Sequence, residues 1–292
     1  MPAQSKFAQA LASGAFIVTC ELDPPKGADP AVVQGKISAL RDKVQAVVVS
    51  DNHSARMRMA PLGFCRTLLD QGVEPILTLT CRDRNRLALQ SDLLAAFHLG
   101  IQNVLAVTGD YLSWGDHPQA KPVYDLDSVQ LLKTLNGLNQ GQDFSGNPLE
   151  GAAPFFTVGA VVPLTANPIQ PVVMKFRKKE AQGVDFFISH PLFEAGDAEN
   201  FFKEVPAIKA PLLASVSLLT WAQVSGYRPG NIPGLFLPPA VLERFQSLNE
   251  ESFPSEIREF TRKLIEALRK DGRFRGVHLM LQGNEEKIGE LV

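Results

Sequence analysis

Residues 16–27 read F-I-V-T-C-E-L-D-P-P-K-G. Phe16 to Cys20 is apolar or β-branched and predicts a strand, which Glu21, Asp23 and the pair Pro24-Pro25 would end. A carboxylate at the end of an otherwise buried strand needs a reason, and the reason depends on the sheet to which the strand belongs. Seven further runs of the same kind follow: Ala46–Ser50, Ile76–Cys81, Val104–Thr108, Phe155–Val162, Phe186–Ser189, Leu212–Leu218 and Val277–Leu281. Between most of them apolar residues recur at spacings of three and four, predicting helices over Ala31–Lys43, Met57–Gln71, Arg84–Leu99, Ser128–Leu138 and Glu256–Lys270. Strands apolar on both faces that alternate with helices predict a parallel sheet wrapped by helices. At this length the simplest such fold is a closed (β/α)8 TIM barrel, expected as a single domain over residues 1–292 with an N-terminal helix. The competing open, doubly wound sheet lacks the G-x-G-x-x-G that would follow its first strand. "GNPLEGAAP" (146–154) and "YRPGNIPGLFLPP" (227–239) read as loops.

Of the 292 residues, 45% are hydrophobic and 21% charged, and 29 basic against 31 acidic side chains leave a net charge of -2. That balance offers no phosphate-tracking surface, so nucleic acid is not an expected partner. Cys20, Cys65 and Cys81 form no C-x-x-C pair, which argues against a disulfide framework or structural zinc and fits a reducing cytoplasmic setting. No apolar run reaches the roughly 20 residues of a membrane helix. The opening "FAQALASGAFIV" (7–18) resembles a secretory h-region only faintly, with one Lys before it, and Ser13-Gly14 reads equally well as a helix stop before a strand. Association as a homo- or hetero-oligomer is compatible with outer barrel helices, although none is apolar enough outside to mark an interface.

In a (β/α)8 barrel the reactive residues stand at the C-terminal strand ends. These are Glu21, Asp51-Asn52, Cys81-Arg82-Asp83, Gly109-Asp110, Pro163, His190, Thr220-Trp221, and Gln282 with Asn284. Each has a plainer reading beside the functional one. Glu21 could be a solvated acid paired with Lys26, and Asp110 a cap on backbone N–H groups. His190 could be a hydrogen-bonded structural residue and Trp221 core packing. The run Lys175-Phe176-Arg177-Lys178-Lys179 suits a solvated helix face from which one cation reaches a phosphate at the rim. Five histidines, with no H-x-x-x-H and no acidic partner at ligand spacing, argue against a metal site.

Taken in order, "TCELDPPKG" (19–27), "LTLTCRDRNR" (77–86), "GIQNVLAVTGD" (100–110), "FRKKEAQGVDFFISHPLFE" (176–194), "TWAQ" (220–223) with "NIP" (231–233), and "GVHLMLQGN" (276–284) resemble the motifs of the methylenetetrahydrofolate reductase family. The resemblance runs from about Phe16 to Asn284. It implies a barrel that binds FAD and a reduced folate and passes a hydride to the methylene bridge, with electrons from NAD(P)H or from a redox partner subunit. It also implies roles. Glu21 is expected as the general acid at the opening bridge, with a raised pKa, and Asp110 as the carboxylate beside flavin and folate. Thr80, Tyr124 and Lys179 are expected with Asp110 on the flavin, and His190 and Trp221 on the folate. The chain departs from the family at Thr78–Cys81, Thr108, Val162–Pro168 and His190, where the family has a histidine-led run, an arginine, a Y-P-E-x-H-P segment and a glutamine. Those departures leave a second reading, a folate-binding subunit of a one-carbon complex with lost or reduced redox activity.

Overall fold

The computed structural model describes residues 4–230, 232 and 234–292, so Asn231 and Pro233 of the "NIP" triplet and residues 1–3 lie outside the described residues. The N-terminal helix is α1 (Lys6–Ser13), capped by Ser5 and closed by Gly14 in the left-handed region. Then come β1 (Ile17–Leu22), α2 (Gln34–Leu40), β2 (Ala46–Val49), α3 (Pro61–Asp70), β3 (Pro75–Thr80), α4 (Arg86–His98), β4 (Asn103–Val107), α5 (Ser128–Asn139), β5 (Thr157–Val162), α6 (Gln170–Glu180) and β6 (Phe186–Pro191). The chain finishes with α7 (Glu199–Glu204), β7 (Leu212–Ser217), α8 (Trp221–Ser225), α9 (Pro239–Gln246), α10 (Phe253–Asp271) and β8 (Gly276–Met280). Every strand pairs in parallel with its sequence neighbour, and β1 pairs with β8 to close the barrel. No helix among the described residues is long and apolar enough to cross a membrane.

Side chains alternate across a strand, so two separate apolar layers follow from parity alone. Val18, Cys20, Leu22, Val47, Val49, Leu77 and Leu79 face outward and join the large cluster beneath the helices. Ile17, Ala46, Val48, Ile76, Leu105, Phe186, Ile188 and Leu213 face inward and fill the lower half of the barrel. Phe7 of α1 plugs its base, edge-on to Phe186 with ring centroids 5.0 Å apart. Most inward positions higher up are polar, with Thr19, Thr78, Thr80, Ser215, Ser217 and His278 all buried, while Val107, Val161 and Met280 are apolar. An apolar floor under a polar upper layer confines chemistry to the mouth.

All eight strands lie where the apolar runs predict them, with corrections at the ends. β1 does not stop before Glu21 but continues to Leu22, and Glu21 pairs in register with Val48. Glu21 thus shares the inward parity of Ile17 and Thr19. The helix expected from Met57 starts only at Pro61, whose ring suits the first helical turn. The one expected over Ala31–Lys43 divides into a 3-10 turn, Pro30–Val33, and α2. α7 and α8, of six and five residues, are too short for periodicity to reveal.

Candidate active site

The mouth encloses a cavity of about 990 Å³, at the upper end of the roughly 300–1,000 Å³ usual for small-molecule sites. Glu21, Thr80, Asp110, Lys179 and His190 all line it, so five of the seven residues singled out from sequence share one chamber. A second pocket of about 320 Å³ opens beside it, and Glu21, Asp23, His53, Arg58, Met280 and Gln282 border both. Glu21 therefore stands in the partition between two spaces.

Two histidines flank its carboxylate. His53 Nδ1 lies 3.1 Å from Glu21 Oε1, and His278 Nε2 lies 4.0 Å from Glu21 Oε2. Burial pushes the Glu21 carboxyl upward, but the charge and hydrogen bond of His53 oppose it and carry it below its ordinary value. The charge of Glu21 lifts His53 to about 9 against the effect of burial, with Asp23 and Asp110 adding to the lift. His278 goes the other way, down to about 4, because it is fully enclosed; its Nδ1 meets Thr19 Oγ1 at 3.0 Å. The raised pKa expected for Glu21 is thus not found, since the pair carries its proton on His53.

His53 sits on the turn after β2, a stretch held from several sides. Ser54 donates its backbone N–H to Asp110 Oδ2 at 3.0 Å, and Met57 donates to Asp116 Oδ1 at 2.9 Å. Asp116 also receives Lys26 at 2.7 Å, so Lys26 secures this turn and does not pair with Glu21. Asp110 is a tether between the β2 and β4 loops and no cap on a following helix. Arg58 meets Asp23 Oδ2 at 3.0 Å. Glu21, Asp23 and His53 place ligand-type atoms within 4.8 Å of one another, but Arg58 and the imidazolium already balance the two carboxylates, leaving little to attract a cation.

On the opposite wall Lys179 is 7% exposed and donates to Val161 O at 2.6 Å. Burial, then the charge of Lys175, lowers it to about 8. An ammonium has three N–H donors, and this one keeps two for a ligand, with Lys175 also on the wall. That donor set fits a phosphate-bearing group such as the expected FAD. Gly109 lets the loop after β4 pass close against Arg82 and Thr80: its φ is +98°, and a Cβ there would come 2.8 Å from Arg82 Cβ and 3.1 Å from Thr80 Oγ1. Thr80 Oγ1 accepts the Arg82 N–H at 3.2 Å. His190, lowered by burial and then by the charge of Lys179, stands next to a register shift between β6 and β7, where Ser189 Oγ accepts the Ser215 N–H.

Two expected residues lie off the cavity wall. Tyr124 donates to Asp110 O at 3.1 Å, supporting the backbone behind the site. Trp221 turns outward onto Phe253, centroids 5.5 Å apart, while Ala222 and Gln223 reach the chamber. Sequence reading missed His53, His278 and Arg58. His53 comes immediately after the strand-end pair Asp51-Asn52, yet its acidic partner is on another strand, so no spacing rule finds it.

The family model described as methylenetetrahydrofolate reductase matches residues 6–292. No curated protein sequence matches the chain. Among solved structures, an uncharacterized protein from Clostridium thermocellum that binds two copies of 5-methyl-5,6,7,8-tetrahydrofolic acid superposes with a TM-score of 0.62 at 13% identity, covering 97% of this chain and 95% of that one. Phosphonopyruvate hydrolase complexed with oxalate and Mg++ gives 0.52 at 12%, covering 98% and 84%. 2,3-Dimethylmalate lyase, of the PEP mutase/isocitrate lyase superfamily, gives 0.51 at 11%, covering 98% and 85%. At these identities the structural likenesses show the barrel fold alone.

Proposed function

The chain belongs to the methylenetetrahydrofolate reductase family, and from that premise we propose that it interconverts 5,10-methylenetetrahydrofolate and 5-methyltetrahydrofolate with FAD. The observation that carries this reading is the convergence of Glu21 and Asp110 on one chamber whose far wall holds Lys175 and Lys179. FAD, when bound, supplies the hydride. Lys179, with Lys175 beside it, would hold its phosphates; Thr80 would serve the flavin and His190 the folate, both from the wall of the same chamber.

The chain's own residues account for the acid–base side of the reaction. Opening the methylene bridge breaks a C–N bond and leaves an iminium cation, so the departing amine needs a proton and the carbon an anionic neighbour. Glu21 delivers the proton at the partition, and the carboxylates of Glu21 and Asp110 then face the cation across the chamber. The apolar floor of Leu105, Val161 and Ile188 keeps bulk water from below, which strengthens both interactions. The folate bound by the Clostridium thermocellum protein is of the class this reading requires.

One observation favours the second reading, a folate-binding subunit with reduced redox activity. Arg82, Arg84 and Arg86 are each committed to a carboxylate, of Asp83, Asp51 and Asp125, and so are not offered to a cofactor. A product assay separates the two: protein loaded with FAD, a reduced viologen dye as electron source, and methylenetetrahydrofolate. Formation of methyltetrahydrofolate is expected. Folate binding with no product, with dye and with NAD(P)H alike, favours the binding subunit.

A further inference from the structure

We propose that His53 is the proton reservoir of this site, a positioning residue that acts through Glu21 by handing its carboxylate the proton the bridging amine must gain. The inference rests on the folate reading above and supplies what that reading leaves open, the origin of the proton. A glutamate that rests as a carboxylate cannot donate until it is itself protonated. Among the described residues, one group within hydrogen-bond reach of Glu21 is built to do that, His53 Nδ1 at 3.1 Å. The other neighbour, His278, is 4.0 Å away and kept neutral, its Nδ1 engaged with Thr19.

The surroundings of His53 favour the charged ring from every side. Glu21 faces it from β1, Asp23 from the segment after β1, at 3.8 Å, and Asp110 from the loop after β4. The opposing cation is Arg58, which lies against Asp23, while His278, beyond Glu21, stays neutral. The ring is also held in place at a cost. Asn52, Ser54 and Ala55 have φ of 49°, 55° and 56°, a left-handed run in residues with side chains, which persists only where neighbours enforce it. Asp110 enforces it at Ser54, and a Cβ on Gly115 would stand 1.8 Å from Ala55 O. His53 also borders the smaller pocket, so its ring has a way to solvent that a folate filling the main cavity would leave open.

The step balances without an added reagent. The Nδ1 proton passes to the Glu21 carboxylate, and Glu21 passes a proton to the bridging amine nitrogen, whose C–N bond breaks with its electron pair going to nitrogen. Glu21 is again a carboxylate, facing the iminium it has helped to form. His53 is left neutral and is reprotonated through the smaller pocket by the one solvent proton that the reduction consumes.

The test combines NMR and kinetics. With isotope-labelled imidazoles, and the His53 signal assigned by its loss in His53→Gln, His53 should keep its proton until about pH 9 in the wild type. In Glu21→Gln its titration should fall toward the ordinary histidine value. His53→Gln keeps a donor for Glu21 but cannot carry a proton, so kcat for methylenetetrahydrofolate should drop roughly 10²-fold with KM little changed. The alkaline limb of its pH profile should also move to lower pH, a change that a merely structural role would not cause. A His53 that titrates near neutrality in the wild type, or a His53→Gln variant with wild-type rate and pH profile, overturns the proposal. A wild type that makes no methyltetrahydrofolate instead overturns the reaction assigned above, and the NMR titration then decides the Glu21–His53 pair alone.

Discussion

Asp110 Oδ2 lies 3.0 Å from the backbone nitrogen of Ser54, which ties the loop after β4 to the turn that presents His53 to Glu21. One carboxylate thus serves two ends, a negative charge facing the chamber and a mechanical restraint on its neighbour. The two separate by substitution. Asp110→Asn keeps an oxygen for the Ser54 N–H and loses the charge; folate reduction should fall roughly 10²-fold with an unchanged melting temperature. Asp110→Ala loses both, so its rate should fall further and the amides of residues 52–58 should exchange faster with deuterium. Equal exchange in the two variants would show that the bond is not a restraint.

Trp221 packs on Phe253 outside the chamber, so its value is to stability. Trp221→Ala should cost about 2–4 kcal/mol in urea unfolding and leave folate affinity within about twofold. A large loss of folate affinity at unchanged stability would return the ring to the binding site.

Gly109 holds φ +98° with Arg82 Cβ and Thr80 Oγ1 against its open side. Gly109→Ala meets an unfavourable backbone and a crowded wall together, and should cost roughly 2 kcal/mol or more. A melting temperature equal to wild type would mean the β4 loop has room that its geometry denies.

His278 gives the protein an acid-sensitive core. Its folded pKa, about 4, lies below the ordinary 6.5, so the folded state resists a proton that the unfolded chain accepts. No penalty exists above pH 6.5; stability declines as pH falls from there toward 4, by roughly 3 kcal/mol in all. His53 has the opposite sign: its raised value gives stability that is complete below pH 6.5 and is lost as pH rises through about 9. The stability profile should therefore fall on both sides of about pH 6.5, and His278→Asn should flatten only the acid side. An acid limb that survives this change would place its origin elsewhere.

The barrel was legible because strands buried on both faces must be written as continuous apolar runs, and the alternating helices admit few other arrangements. Glu21 and Asp110 were legible because an acid that closes such a run has no packing purpose. The state of Glu21 was not legible. It depends on His53, which follows a different strand and is aimed by three left-handed residues of which Asn52 alone is of a type that favours that region, so the turn signature is weak and says nothing of where the ring points. Trp221 misled for a related reason: at a strand-to-helix junction the side chain that enters the mouth is fixed by the helix start. Thr220 caps α8 and directs Gln223, rather than Trp221, to the chamber.

The most direct test of the proposed reaction is the visible spectrum of the protein loaded with FAD, recorded anaerobically before and after addition of methyltetrahydrofolate. The account predicts that flavin bands are present and bleach as the folate is oxidised. A protein that binds methyltetrahydrofolate while its flavin bands stay unchanged, or that takes up no FAD at all, would contradict it.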